Sequence, residues 1–276
     1  MPCDPTTEHA GSVSRPIIRR RRGESTALTA RVVEEFPVAL VFNDMSHAVM
    51  MATPLDLEAF AVGFSLTEGI VERAADVSDL EVFIHADSAE VQLTIAQSAF
   101  LQLKGKRRAL AGRTGCRVCG IEIFELLDLK PQKIARPNDA PAISHSAIES
   151  AACELPARQM LMCETGEIHA AAWCKPDGSI VEVFEDVGRH NALDKLIGGL
   201  ARLRENMQDG FVFLSSRASY ELVCKAARMN IPLLATVSAP TSLAIDVAQR
   251  VGMRLLSFCR HEGFAEYTAS ASPVPV

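Results

Sequence analysis

Nowhere in the 276 residues do eighteen apolar side chains run together, so the sequence lacks the element that crosses a bilayer as a helix. It also lacks a positive balance. Twenty-eight lysines and arginines stand against 34 aspartates and glutamates, a net charge of −6, the wrong sign for a protein that grips nucleic acid over a broad surface. No internal repeat and no heptad array recurs. No Walker-type phosphate loop is present, and no glycine-rich dinucleotide fingerprint follows a strand, which excludes the usual carriers of ATP hydrolysis and nicotinamide chemistry. Residues 1–14 show no basic-then-apolar pattern. The run Arg19-Arg20-Arg21-Arg22 is followed by Gly23-Glu24-Ser25-Thr26, where an export signal needs an apolar stretch. The expectation is a cytoplasmic protein without membrane or nucleic-acid partners.

What is present is an ordinary globular composition, 48% hydrophobic and 22% charged, with apolar mass for one large domain or two smaller ones. Residues 1–28 are polar and bear proline and arginine, and are expected as a disordered tail. Residues 29–138 read as an N-terminal α+β domain. Stretches 37–43 and 47–52 are strands around the turn at Asn43-Asp44, and 80–85 and 90–95 form a second pair. Between them Thr53-Pro54 supplies a capping hydroxyl and a first-turn proline. Leu57, Phe60, Ala61 and Phe64 then fall on one helical face, and Gly69 is placed to end the helix. The polar, proline-containing stretch 130–141 reads as a linker.

Residues 139–276 form the second domain. Helical segments over 146–162 precede a hairpin of 168–174 and 179–184 around Pro176-Asp177-Gly178. A helix over 189–203 follows, then strand 211–214, helix 219–229, strand 233–237, helix 241–251 and strand 254–258. This alternation predicts an α/β fold with a mixed, mostly parallel sheet carrying helices on both faces. Ligands of such sheets bind beyond the carboxyl ends of the strands. There the sequence places Asp186, Arg189 and His190, then Arg217, then Thr241, and finally Cys259, Arg260, His261, Glu262 and Gly263. Helix-start N–H groups and guanidinium forks make an anion site suited to phosphates, while helix capping alone accounts for serines and threonines. His169, on the hairpin, reads as a hydrogen-bonded core histidine.

Eight cysteines in a reducing compartment are core residues, metal ligands or reactive thiols. Cys153, Cys163, Cys174, Cys224 and Cys259 sit among apolar neighbours and read as small buried hydrophobes. Cys116 and Cys119 differ: they form Gly115-Cys116-Arg117-Val118-Cys119-Gly120. Such a pair can chelate metal, form a redox couple or carry sulfur. No second Cys pair or His pair accompanies it to complete a zinc site, and no bound metal is expected. The stretch 104–117 holds Lys104, Lys106, Arg107, Arg108, Arg113 and Arg117 and no acid. That charge favours a thiolate, whose ordinary pKa is about 8.5, and makes the basic loop 104–120 a candidate for handling an anionic persulfide.

Taken together, these residues resemble the FdhD family of formate dehydrogenase accessory sulfurtransferases. The resemblance rests on Cys116-x-x-Cys119-Gly120, Thr67-Glu68-Gly69-Ile70, Thr165-Gly166 with His169-Ala170-Ala171, the run Glu185-Asp186-Val187-Gly188-Arg189-His190-Asn191-Ala192-Leu193-Asp194-Lys195, Ser238-Ala239-Pro240-Thr241-Ser242-Leu243-Ala244, and Phe258-Cys259-Arg260. It implies that Cys116 accepts persulfide sulfur from a cysteine desulfurase, with Cys119 assisting. The sulfur then passes to the molybdenum of the bis-molybdopterin guanine dinucleotide cofactor, bound as substrate, before that cofactor enters formate dehydrogenase. It further implies a homodimer, a cofactor-binding segment at Phe258 through Gly263, and a cytidine deaminase-like C-terminal fold. Deaminase chemistry itself is not implied, because His169 is followed by Ala170-Ala171 rather than by x-Glu, and no Pro-Cys-x-x-Cys follows. His261 stands where the family pattern has glycine. A cofactor-presenting chaperone without covalent sulfur chemistry is the alternative reading, and a zinc-dependent nucleoside-type hydrolase a third.

Overall fold

The computed structural model describes residues 10–110, 131–135 and 142–268. It opens with a ribbon of β1 (Ser12–Arg21) and β2 (Glu24–Val33), paired antiparallel in unbroken register. Arg22 and Gly23 between them both take positive φ, 50° and 88°, the turn whose twist suits a two-residue hairpin. The expected disordered tail is therefore wrong from Ser12 onward. Val13, Ile17, Ile18, Thr26 and Thr29 supply β-branched strand formers, and alternation spreads the arginines over both faces.

Next comes a four-stranded sheet of order β4-β3-β6-β5, built from β3 (Phe36–Phe42), β4 (Met45–Ala52), β5 (Val77–Ile84) and β6 (Ala89–Ile95). The turn between β3 and β4 is Asn43-Asp44, again with two positive φ values. Its inward residues Val38, Leu40, Phe42, Val91, Leu93 and Ile95 are buried against α1 (Leu57–Thr67), which is buried on nearly all sides. This helix starts later than Thr53-Pro54 implies, because Thr53 is engaged elsewhere. Gly69 ends the turn with φ +62° as expected. The basic stretch does not begin as a loop: Lys104 lies within α2 (Gln97–Leu110), its ammonium 4.4 Å from the centroid of the Phe100 ring. Residues 111–130, with Arg113, Cys116, Arg117 and Cys119, lie outside the described residues. Within the expected linker, residues 131–135 are pinned to the second half, Ile134 N–H donating to the Val251 carbonyl and Gln208 to that of Ala135.

The second half contains α3 (His145–Arg158), α4 (Met160–Thr165), β7 (His169–Cys174), β8 (Ile180–Asp186), α5 (Arg189–Leu203), β9 (Phe211–Leu214), α6 (Tyr220–Arg228), β10 (Leu233–Thr236), α7 (Ser242–Val251), β11 (Arg254–Arg260) and β12 (Gly263–Glu266). Its six-stranded sheet has the order β12-β11-β10-β9-β7-β8. β8 through β11 run one way, and β7 and β12 run against them. The α/β expectation is thus met, with β12 as an addition the sequence reading lacked. Strand alternation serves two faces. Ala170, Ala172, Phe211, Phe213, Leu233 and Ala235 meet α3. Ala171, Trp173, Val212, Leu214, Leu234 and Leu255 join a core with α5, α6, α7, α1 and the four-stranded sheet.

That second core is continuous across both halves because α1 and α5 cross almost backbone to backbone. A Cβ on Gly63 would fall inside the Asp194 carbonyl group, and one on Gly198 would strike the Ala59 carbonyl. Buried polar groups lock the crossing. Lys225 Nζ lies 2.9 Å from both Asp194 carboxylate oxygens and 2.8 Å from Thr67 Oγ1. Gly198→Ala is expected to lower unfolding free energy by about 3 kcal/mol, the upper part of the overpacking range. Gly105→Ala in α2, whose new methyl meets nothing within 4 Å, should instead stabilise by about 0.5–1 kcal/mol. Urea denaturation of the two variants checks both signs.

Candidate functional site

The carboxyl ends of β8, β9, β10 and β11 open on one edge of the large sheet. At its β8 end the turn into α5 is organised by Asp186, which is fully buried. Its Oδ1 accepts from Gly188 N–H at 2.7 Å and Asn191 Nδ2 at 2.9 Å. Its Oδ2 accepts from Thr53 N–H at 3.0 Å and stands 2.7 Å from Lys195 Nζ. Lys195, equally buried, also donates to the carbonyls of Thr53 and Glu185. Thr53 completes the clasp by accepting from Val187 N–H. Asp186 therefore braces the edge from behind and has no acceptor position left over for a ligand.

In front of that brace lie residues with capacity to spare. Gly188 is the N-cap of α5 and makes no side-chain cap, and Ser219, the N-cap of α6, makes none either. Thr241 does cap α7, accepting from Ala244 N–H at 3.3 Å. Capping thus explains Thr241 and fails for the other two starts. Arg189 Nε and Ser219 Oγ are buried with no hydrogen-bond partner among the described residues. Buried donors are normally satisfied, so both atoms keep bonding capacity that the described residues do not use. His190 Nε2 lies 2.7 Å from Glu221 Oε2. This contact holds the Glu221 carboxyl below the usual carboxylate range, against the opposing effect of burial.

Two members of this cluster were not legible as such. His169 is not a core residue: the hairpin register pairs it with Asp186, so the start of antiparallel β7 reaches the edge where β8 ends. Counting back from Pro176-Asp177-Gly178 would have found it. Burial first, and then the nearby Arg189 guanidinium, hold its pKa below the ordinary histidine value. Glu221 had no local signal, since its partner lies a strand and a helix away in sequence.

The remaining expected residues are strung along the same edge. Loops after β9 and β10 run side by side: Ala218 bridges Pro240, and Thr241 N–H donates to the Ala218 carbonyl at 3.0 Å. Arg217 is exposed on the first of these loops. At β11 the chain alternates. Cys259 is buried, its thiol pushed up to about 11 by desolvation. Phe258, Arg260, His261 and Glu262 are exposed, with Gly263 opening β12. Phe258 takes φ +55° where the β11–β12 register shifts, a bulge that turns its ring outward. β8 and β11 are four strands apart in the sheet, about 19 Å at normal strand spacing. The edge is long enough for an extended ligand with more than one anionic group. Among the other cysteines Cys174 is buried and its thiol held far above the ordinary range by burial. Cys153 is exposed rather than buried, and Cys163 and Cys224 are intermediate.

These features define an α/β protein with an edge of open polar groups assembled from the turns after parallel strands. Comparison with known proteins makes the assignment specific. The model of the FdhD/NarQ family matches residues 33–272, and the chain belongs to that family. It is 58% identical over 271 residues to a protein of Burkholderia mallei named sulfur carrier protein FdhD, covering 97% of this chain and 99% of that one. It is 61% identical over 259 residues to the Chromobacterium violaceum protein of the same name, covering 94% and 96%. In fold it is similar to a crystal structure of a candidate formate dehydrogenase accessory protein from Desulfotalea psychrophila. The TM-score there is 0.71 at 22% identity, over 94% of this chain and 97% of that one. Among the described residues no helix is long and apolar enough to cross a membrane.

The geometry fixes one titration. His169 is expected to titrate below about 6.5, and Arg189→Met should raise its midpoint by removing the second cause of the depression. Because the unfolded chain binds that proton more readily, this residue's contribution to stability is full above the ordinary histidine value. It is lost as pH falls toward the depressed one. NMR of the histidine ring signals, in wild type and variant, measures the shift directly.

Proposed function

We propose that this chain carries sulfur as a persulfide on Cys116 and delivers it to bis-molybdopterin guanine dinucleotide held along the sheet edge, in the service of formate dehydrogenase. The observation that carries the reading is the pair of buried, unpartnered polar groups, Arg189 Nε and Ser219 Oγ, between two helix starts that no side chain caps. A phosphate would satisfy both donors and both helix ends. Family membership supports sulfur as the cargo, the close relatives being named sulfur carrier proteins.

In this reading the donor is a cysteine desulfurase. The Cys116 thiolate attacks the outer sulfur of the donor's persulfide, a new S–S bond forms, and the donor's cysteine leaves as thiolate. Cys119 assists beside it. The bound molybdenum cofactor is the substrate that takes the sulfur. Arg189 and Ser219 hold one phosphate, with His190 beside them. Arg217 and Thr241 line the middle of the edge. Phe258 offers a ring face to a guanine base, flanked by Arg260, His261, Glu262 and Gly263. The chemistry belongs in the reducing cytoplasm, where thiols stay available.

Two measurements test the proposal. Intact-protein mass spectrometry after incubation with a desulfurase and cysteine should show a reductant-labile sulfur adduct on wild type and none on Cys116→Ala, while GDP binding is kept. An adduct that survives the substitution would move the carrier to another thiol, and no adduct on either protein would favour a cofactor-presenting chaperone. Separately, Arg189→Met should weaken GDP binding by about 10- to 100-fold, the worth of a hydrogen bond to a charged group, as read by calorimetric titration. Unchanged affinity would remove the phosphate from this end of the edge.

A further inference from the structure

Strand β11 carries a backbone conformation that its amino acid does not favour. Regular alternation would turn Phe258 to the same side as Leu256, toward α3. Instead Cys259 packs there with Leu256. The pairing with β12 shows why. Ser257 stands opposite Ala265 and Arg260 opposite Gly263, which leaves Phe258 and Cys259 against Phe264 alone. Phe258 is the extra residue of this bulge, and its φ is +55°. Where a bulge needs positive φ, the residue that takes it is ordinarily glycine. A bulky side chain there is a genuine outlier, and such strain persists only where the surroundings over-determine it.

The constraint lies beneath the ring. Thr236 at the end of β10 and Ser257 in β11 are both fully buried, one residue beyond the last backbone pair of these strands, Ala235 with Leu256. Their hydroxyl oxygens are 2.8 Å apart. Thr236 Oγ1 also lies 2.9 Å from the Ser238 carbonyl oxygen and 3.3 Å from that of Leu256. Each hydroxyl has one hydrogen to give. Both hydroxyls are satisfied when Thr236 donates to the Ser238 carbonyl and accepts from Ser257. On the far side of Phe258, burial raises the Cys259 thiol most, and the Thr236 N–H, the next influence, draws it back down. Thr236 thus acts on both chain neighbours of Phe258 and on the loop after β10. None of these contacts involves the Phe258 ring, which is 45% exposed.

We propose that Thr236 is a positioning residue for the ligand: through Ser257 its hydroxyl holds Phe258 in the strained bulge, with the ring presented before a base arrives. The inference rests on the role proposed above for Phe258 as a ring face for guanine. Glycine at 258 would relax the backbone and leave nothing to stack on. A ring fixed in advance loses less freedom on binding, and its face suits the π surface of a base. The buried hydrogen bonds beneath the ring offset the strain at 258, so folding stability is exchanged for affinity at that end of the edge.

Calorimetric titration with GDP tests this in two backgrounds. Thr236→Val keeps the shape of the side chain and removes its hydroxyl, and should weaken GDP binding about 3- to 10-fold. Thr236→Ser keeps the hydroxyl and should bind as wild type does. Phe258→Ala should weaken binding about 10-fold, within the range for a base stacked on an aromatic side chain. In that background Thr236→Val should have no further effect. No loss in Thr236→Val, equal losses with and without the ring, or a Thr236→Ser as weak as Thr236→Val would overturn the positioning role and leave the ring's own role standing. Wild-type affinity in Phe258→Ala would overturn the role of the ring, and the positioning role with it. The strain has a separate readout that needs no ligand. Phe258→Gly should unfold at a higher urea concentration than Phe258→Ala, because glycine alone adopts positive φ at no steric cost. The reverse order would show an unstrained bulge and overturn the proposal.

Discussion

The rest of the structure depends on the near-contact of α1 and α5. Glycine at 63 and at 198 lets two helix backbones approach to a distance no other residue permits, and that approach decides where everything attached to them lies. α1 carries the four-stranded sheet on its far side. α5 carries the turn at Gly188 at its N-terminus and the Lys225 contact through Asp194 along its length. Burying an ammonium and a carboxylate is costly unless each is fully bonded. Lys225 meets that condition only when Thr67 of α1, Glu68 just beyond it, and Asp194 of α5 are all in place. The polar network therefore tolerates one relative placement of the helices, while the apolar contacts around it supply most of the attraction.

The same division of labour recurs at the sheet edge. Asp186 and Lys195 face inward with Thr53 and consume their bonding capacity on the protein. Arg189, His190 and Ser219 keep theirs open or share it with Glu221. A site for anions needs donors that do not relax when the ligand is absent. Here the rigid layer is made from one half of the chain reaching into the other, since Thr53 precedes the four-stranded sheet's second hairpin and Asp186 ends β8.

How much could be read from the sequence follows from how local each cause is. Helix α5 spans Arg189–Leu203 as expected, and β9 spans Phe211–Leu214, because apolar periodicity and nearby glycine turns define both. Arg189, His190, Arg217, Thr241 and Arg260 were placed on one edge correctly because parallel alternation forces that placement. Thr53 was misread as a helix cap: its true partners, Asp186, Val187 and Lys195, are more than a hundred residues away and leave no mark nearby. The ribbon was misread because arginine density was weighed above β-branching, and Glu221 was invisible because only the folded chain brings it to His190. Cys259 sat inside a correctly chosen segment, yet strand alternation turns it inward while Phe258 and Arg260 face out.

The glycine crossing also bears on how the protein is made. Gly63 and Gly198 are about 135 residues apart, and translation proceeds at roughly 5–20 residues per second. An α1 that is apolar on nearly every side must therefore wait roughly 7 to 27 s for its partner to leave the ribosome. During that interval the N-terminal half has nowhere to hide Phe60 and Phe64 except the sheet face it has just built. Its nascent chain is a natural client for chaperones, and translational pausing between the two helices would cost yield before it cost any property of the finished molecule.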